Sequence, residues 1–427
     1  MEPPIVTATV TAPFGATSAR RAAHVLRVLG PAWIVMIADV DAPSVITAAQ
    51  AGSSFGYAML LPLALLIPVL YLLQEMTSRL AIATGRGHAE LIRERYGMRW
   101  GAVAVGSMVA IDLVAYVAEF AGIVLGASIV GVPAPVAVLG ALVLHTGVVL
   151  TGSYIRFERL VLVLSLGLFA FVALAVAARP DPAAALAGLS PSAQFGNGSD
   201  YLQLVVATIG AVVMPWMLFY QQTATVDKGL GRGDLRAARL ETMVGAVASQ
   251  VLMAAVVVAA AAAVAAGAQA SISAGGLVLP VGLAGLAVGG GAVLIAVGMV
   301  GAGLLAAIII SLSSAWAWAE LFRWPRSLNL SPRRAPLFYA LYLLEILPAA
   351  AVALLASDLV AVVVNAMVLN VLALAVPLTF LIRLSSDRSV VGDLANSRQR
   401  QALLWAITAD LLILGVWSSA RLVLGAG

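Results

Sequence analysis

The sequence predicts an all-α integral membrane protein of about eleven transmembrane helices, arranged as two inverted five-helix repeats whose leading helices are both broken. Three observations carry that prediction. The 427 residues are 62% hydrophobic and only 10% charged, with a mean hydropathy of +1.04, a balance no water-soluble fold requires. Apolar runs of about 20 residues, enough to cross a bilayer, recur along the chain with arginines gathered in alternate loops. The first and sixth of those runs carry proline and polar residues at mid-length.

The runs fall at approximately 29–52, 57–83, 101–131, 133–153, 157–178, 200–223, 238–268, 282–320, 335–356, 359–383 and 402–424. The eighth is longer than a bilayer needs and is expected to include a flanking helix. Residues 1–28 read as a disordered tail, since positions 1 to 19 carry no Lys or Arg and no apolar core. With that tail in the cytoplasm, Arg20, Arg21, Arg27, the cluster Arg86 to Arg99, Arg156, Arg159, Lys228 to Arg239, Arg323 to Arg334 and Arg383 to Arg400 share the cytoplasmic side. Arg179 and Arg421 fall outside. That asymmetry is the positive-inside pattern expected of a cell-membrane protein. It also accounts for the pI near 9.6 without a nucleic-acid partner. The chain has no cysteine, so thiolate metal sites and thiol catalysis are excluded. Every loop is short, leaving no soluble domain. The alanine-rich stretch "AAVVVAAAAAVAAGAQAS" is expected to pack closely against other helices through its small side chains.

The first run contains "IADVDAPSVI". An Asp at the bilayer centre costs about 2.5–3.5 kcal/mol on insertion scales. Pro43 removes a backbone donor and pushes its predecessor out of helical geometry. Asp39, Asp41, Pro43 and Ser44 together describe a helix interrupted in mid-membrane, which is tolerated only where the backbone is buried or lines a wet cavity. No Lys or Arg lies at mid-depth to pair with these acids. The sixth run, "GAVVMPWMLFYQQ", is interrupted at Pro215. Matching breaks five spans apart point to an inverted-repeat transporter with its site at the midplane. Residues 29–178 and 200–384 would be the two repeats of a core spanning 29–384, with 402–424 an added helix.

The stretch "GPAWIVMIADVDAPSVITAAQAGSSFGYAMLL", continued by "SRLAIATGRGHAELIRERYG", resembles the natural resistance-associated macrophage protein (Nramp) family of divalent metal transporters. "MPWMLFYQQ" stands where that family has its sixth-helix Met-Pro-His motif. The resemblance covers most of the chain and implies the inverted five-plus-five architecture of the LeuT type. It implies Asp41 as ionic metal ligand, Ser44 in place of the family's amide ligand, the Ala211 carbonyl as a further donor, and Met214 as the thioether. Ala38, Asp39, Trp216, Glu119 and Asn370 would form the polar surroundings. Asn370 falls near a family glutamine position.

The departures bear on the cargo. Trp216 replaces a histidine, Gln221 stands where a second histidine is usual, Tyr116 replaces an aspartate, and Tyr342 replaces an arginine. Glu119 is retained. This pattern resembles the Nramp-related magnesium transporters. The expected function is therefore uptake of partly hydrated Mg²⁺, which prefers oxygen donors and sheds water reluctantly. The driving force would be the membrane potential, at about 2.3 kcal/mol per charge per 100 mV, with no proton coupling and no cofactor. Met214 argues instead for Mn²⁺ or Fe²⁺, because a thioether suits softer ions. A proton-coupled carrier of those metals is the alternative, and an amino-acid or amine carrier is another. An intramembrane enzyme would need two facing aspartates, for which Asp41 and Asp112 are a weak pair. The partners expected are a divalent ion and membrane lipid, with no obligate protein. His145, alone in the fourth span, reads as a packed polar contact.

Overall fold

The computed structural model describes residues 30–194, 196–274, 277–355 and 360–424; the tail expected over 1–28 lies outside the described residues. Helices dominate. The first apolar run is split into α1 (Pro31–Ala38) and α2 (Ala42–Phe55), because Pro43 supplies no N–H at the second position of α2. A single 3₁₀ turn then leads into α3 (Leu60–Thr84), followed by the short α4 (His88–Tyr96) and the long α5 (Met98–Ile129). Next come α6 (Ala134–Val149), α7 (Tyr154–Ser165), α8 (Ala170–Ala177) and α9 (Pro182–Gly188). The sixth run is split into α10 (Gly198–Val212) and α11 (Pro215–Asp227), again with proline opening the second half. Beyond α12 (Leu235–Ala265), strands β1 (Ile272–Ala274) and β2 (Leu277–Leu279) form a small antiparallel pair.

The over-long eighth run resolves into two helices, α13 (Val281–Leu286) and α14 (Ala292–Phe322), joined by a wide turn over Ala287–Gly291. Gly290 adopts φ 102° there, a left-handed conformation that only glycine enters without penalty. The chain continues through α15 (Pro336–Leu344), α16 (Ile346–Leu355), α17 (Val360–Ser386), α18 (Arg388–Val391) and α19 (Arg398–Leu424).

Among the described residues, nine helical stretches are long and apolar enough to cross a membrane. The eleven expected are not reached on that criterion. The proline break leaves α1 only 8 residues long, and α2 runs on into α3 as one 43-residue stretch. Helix α6, with 16 residues, is trimmed by positive-φ glycines on either side, Gly131 and Gly152.

Helix α5 packs most extensively on α14, and α12 on α2 and α3. The close approach expected of the alanine-rich stretch is present between α12 and α2, and a glycine allows a similar approach between α14 and α5. A Cβ on Gly303 would lie 2.6 Å from the Glu119 carbonyl oxygen, and one on Gly52 would overlap the Val257 carbonyl. The arginine-rich loops meet at one end of the bundle. Arg326 pairs with Glu90 at 2.6 Å, Arg95 with Asp387 at 2.8 Å, Arg232 with Asp393 at 2.7 Å, and Lys228 with Glu158 at 2.7 Å. Arg421 pairs with Asp200 at 3.1 Å, joining the two segments that the alternation of loops puts on the opposite side. Glu75 of α3, buried at 1% side-chain exposure, collects Arg79, Arg239 and Arg400 from α3, α12 and α19. No local pattern marks this cluster in the sequence, because its members are spread over more than three hundred residues.

Candidate metal site

The two helix breaks meet through one side chain. Asp41 is the residue preceding the first turn of α2, in extended geometry, and its Oδ1 accepts the Ser44 N–H at 2.8 Å. That is helix N-capping, favourable both for the orphan amide and for the positive end of the helix dipole. Ser44 Oγ in turn donates to the Ala211 carbonyl at 3.1 Å. Ala211 lies in the last turn of α10, where the break leaves carbonyls without intrahelical partners. Asp41, Ser44 and Ala211 are all fully buried.

Asn370 of α17 donates its amide to the Gly210 carbonyl at 2.5 Å and the Val213 carbonyl at 3.2 Å. It therefore satisfies one carbonyl before Ala211 and one two residues after it, and leaves the Ala211 carbonyl to Ser44. Met214 holds the matching position before α11, also in extended geometry. Its Sδ accepts the Trp216 indole N–H at 3.2 Å. The residue that replaces the family's histidine thus orients the thioether, and a second sulfur lone pair stays available to a ligand. Ser313 anchors the Trp216 carbonyl at 2.9 Å. Gln221, the other replaced position, donates to the Gln74 carbonyl at 3.2 Å and to Ser78, so it ties α11 to α3.

Glu119 of α5 accepts the Ala42 N–H at 3.0 Å, and its carboxyl interacts with that of Asp41. Each of the two is tied on one oxygen and bare on the other: Asp41 Oδ2 and Glu119 Oε1 are buried without a hydrogen-bond partner. Asp39, one residue beyond Ala38 at the end of α1, has both carboxyl oxygens buried and unpartnered. Four bare carboxyl oxygens in a dry interior, with no described lysine or arginine paired to them, create a strong demand for a cation or protons.

Among the described residues no group of three or more His, Cys, Asp or Glu side chains converges as a metal-ligand cluster. An ion here would need the mixed donor set of carboxylate, hydroxyl, carbonyl and thioether. Glu241 of α12, not anticipated from the sequence, caps α1: its Oε1 accepts the Gly30 and Trp33 N–H groups, the latter at 3.0 Å. A lone acid among the apolar residues of α12 was the available signal.

Gly122 of α5 lies directly against Ala42, and an added methyl would overlap the Ala42 methyl and meet Met299 at 3.4 Å. Gly122→Ala is expected to cost about 1–3 kcal/mol through overpacking, read as a lowered Tm in detergent. An unchanged Tm would mean that the junction beside Asp41 is slack.

A helical bundle with two crossings interrupted beside buried, unpaired acids has the architecture of the broken-helix transporters. The chain belongs to the Nramp family: it matches the description "Natural resistance-associated macrophage protein-like" over residues 32–421. It is 30% identical to the divalent metal cation transporter MntH of Ralstonia nicotianae, over 92% of this chain and 90% of that one. It is 25% identical to the Bacillus subtilis protein of the same name, over 91% of each. A match to divalent metal cation transporter MntH 1 of Pseudomonas aeruginosa, at 32% identity, spans 60% of each chain.

The fold is that of the Eremococcus coleocola manganese transporter, solved with an aromatic bis-isothiourea compound. The TM-score is 0.77 at 19% identity, covering 96% of this chain and 89% of that one. Mhp1, a nucleobase-cation-symport-1 family transporter, superposes with a TM-score of 0.56 at 15% identity, covering 92% and 91%. This is a multi-pass membrane protein. The magnesium branch expected from the departures finds no support among these relatives, whose names carry manganese or divalent metals in general.

Proposed function

We propose that this chain carries divalent metal ions of the Mn²⁺ and Fe²⁺ class across the cell membrane by alternating access, coupled to protons held by Asp41 and Glu119. The observation that carries this reading is the facing carboxyl pair, with its bare oxygens beside the Ser44–Ala211 junction of the two breaks. Asp41 would supply the ionic ligand, Ser44 and the Ala211 carbonyl two oxygen donors, and Met214 a soft sulfur. Trp216, Asn370, Asp39, Ala38 and Glu119 would shape the surroundings. The repeats, 29–178 and 200–384, would rock about this point, with the arginine-rich end and the N-terminus in the cytoplasm.

This reading replaces proton-independent Mg²⁺ uptake. The departures at Trp216, Tyr116 and Tyr342 remove titratable or charged groups, yet Asp41 and Glu119 remain in mutual contact. A cation entering between them repels the protons that keep such a pair neutral. A thioether adds nothing for Mg²⁺ but favours transition metals, and the relatives named above for manganese or divalent metals support the same cargo.

The test is uptake in proteoliposomes carrying a metal indicator and a pH dye. Mn²⁺ influx is expected to acidify the lumen, to be inhibited by Fe²⁺, and to persist under excess Mg²⁺. Met214→Ala is expected to lower Mn²⁺ affinity roughly 10–100-fold, the range for losing a supporting group at a metal site. Mg²⁺ influx at a rate equal to that of Mn²⁺, with constant internal pH, would restore the magnesium reading.

A further inference from the structure

We infer that the corner where α4 and α5 meet the ends of α17 and α18 binds an anionic phospholipid of the leaflet at the arginine-rich end of the bundle. From Asn370 to Phe380 along α17 is about 15 Å at 1.5 Å per residue, so this corner stands well away from the helix breaks.

Three aromatic rings form a row there. Tyr96, the last residue of α4, has its ring 5.1 Å from that of Phe380, and Trp100, in the first turn of α5, has its ring 5.9 Å from the same phenylalanine. Phe380 is buried, whereas Trp100 is 54% exposed and Val103, one turn further along α5, is 47% exposed. Aromatic side chains gather at this depth because the ring suits acyl chains while the polar edge suits headgroups. Arginines bracket the row. Arg99 precedes Trp100, and Arg383 stands one helical turn beyond Phe380. Both are exposed, and neither has an ion-pair partner among the described residues. In this they differ from Arg326 and Arg232 at the same end, which have acids of their own.

Beside the row lies a cavity of about 360 Å³, lined in part by Thr84, Arg86, Glu94, Arg95 and Ser389. The cavity and the row meet at Tyr96, whose hydroxyl feels the charges of Arg383, Asp387 and Arg95. Arg86 is paired with Glu94. Arg95 donates through Nη2 to Asp387 at 2.8 Å and to Ser389 at 3.3 Å. Its Nε and Nη1 have no hydrogen-bond partner among the described residues. Asp387 is further occupied by the N–H and hydroxyl of Ser389, at 2.8 and 2.6 Å.

Four arginines thus stand against two carboxylates, and the excess positive charge borders apolar rings. Guanidinium groups pair with phosphate oxygens two at a time. A soluble anion would answer the charge but leave the rings unused. A zwitterionic lipid would cover the rings but bring its own cation among the arginines. An anionic phospholipid does both, with its phosphate between Arg95, Arg383 and Arg99 and its chains along Trp100 and Val103.

The test counts the lipids retained by the full chain in detergent, by native mass spectrometry, with phosphatidylglycerol and phosphatidylcholine of equal chain length as probes. The parent is expected to favour phosphatidylglycerol at least about tenfold, as two basic side chains at a membrane surface would give. In Arg99→Gln with Arg383→Gln the preference should fall to within twofold of parity at unchanged Tm. Arg333→Gln with Arg334→Gln, exposed in the loop before α15, should keep the preference of the parent. Trp100→Ala should lower retention of phosphatidylglycerol severalfold. A parent without preference, or a first pair that keeps it, overturns the site. Equal loss in both arginine pairs also overturns it, because the charge of the whole end would then be what the lipid reads. Displacement of phosphatidylglycerol by an equal concentration of inorganic phosphate would give the cavity to a soluble anion and overturn the lipid. Should the first pair fail to fold, Trp100→Ala decides, and unchanged retention there overturns the proposal.

Discussion

Asp41→Ala is expected to reduce Mn²⁺ uptake more than 100-fold in proteoliposomes. In the proposed cycle the Asp41 carboxylate, once its proton has left, would be the ionic donor at the junction of the breaks and would offset the cost of stripping water from a divalent ion. Removing one partner of a buried charged contact costs about 3–5 kcal/mol, and every 1.4 kcal/mol is about tenfold in affinity. The substitution also has a structural arm, because Asp41 Oδ1 caps α2 through the Ser44 N–H. Loss of such a cap costs about 0.5–2 kcal/mol. Asp41→Asn separates the two effects. It keeps an oxygen for the cap and discards the charge, so its Tm should match the parent while its uptake falls as far as that of the alanine variant. Uptake by Asp41→Asn within tenfold of the parent would move the ion to another site.

Glu75→Ala is expected to be the most destabilising single change outside the site. Arg79 is buried at 3% side-chain exposure and depends on Glu75, which also receives Arg239 at 2.9 Å and a close contact from Arg400. Without the carboxylate, three guanidinium groups face one another in a partly dry setting. The expected loss is about 3–5 kcal/mol, visible as a lower Tm and as detachment of α19, which Arg400 fastens to α3. Arg79 keeps its contacts to the Leu394 carbonyl and Asn396, but neither carries charge. The double change Glu75→Ala with Arg79→Ala should recover part of the loss, since it removes the buried charge left unpaired. A loss below about 0.5 kcal/mol, the level of an ordinary surface substitution, would show that water already solvates the cluster.

Much of this protein was legible in its sequence because bilayers impose strong rules. Apolar runs of fixed length, arginines in alternate loops, and proline beside acid in the first and sixth runs are local signals. They were enough to locate α1–α2 and α10–α11 as broken helices and to mark Asp39, Asp41, Pro43 and Ser44 in the first break; the Ala211 carbonyl and Met214 came from the family resemblance. Span count was the weaker part. Whether a 16-residue helix such as α6 serves as a crossing depends on what packs around it, which no run length reveals.

What only the tertiary structure decided is pairing between distant segments. Ser44 reaches Ala211, 167 residues away, and so joins two separate breaks. Trp216 reads in sequence as a lost histidine; in space it holds the Met214 sulfur. His145 reads as isolated, yet its ring meets Tyr116 from α5 and Ser311 from α14. The sequence by itself determined where helices run and where they must break, because helix formation, proline and desolvation act over a few residues. Which polar atoms face one another was decided by helix packing, where side chains far apart along the chain must satisfy each other because no water reaches them.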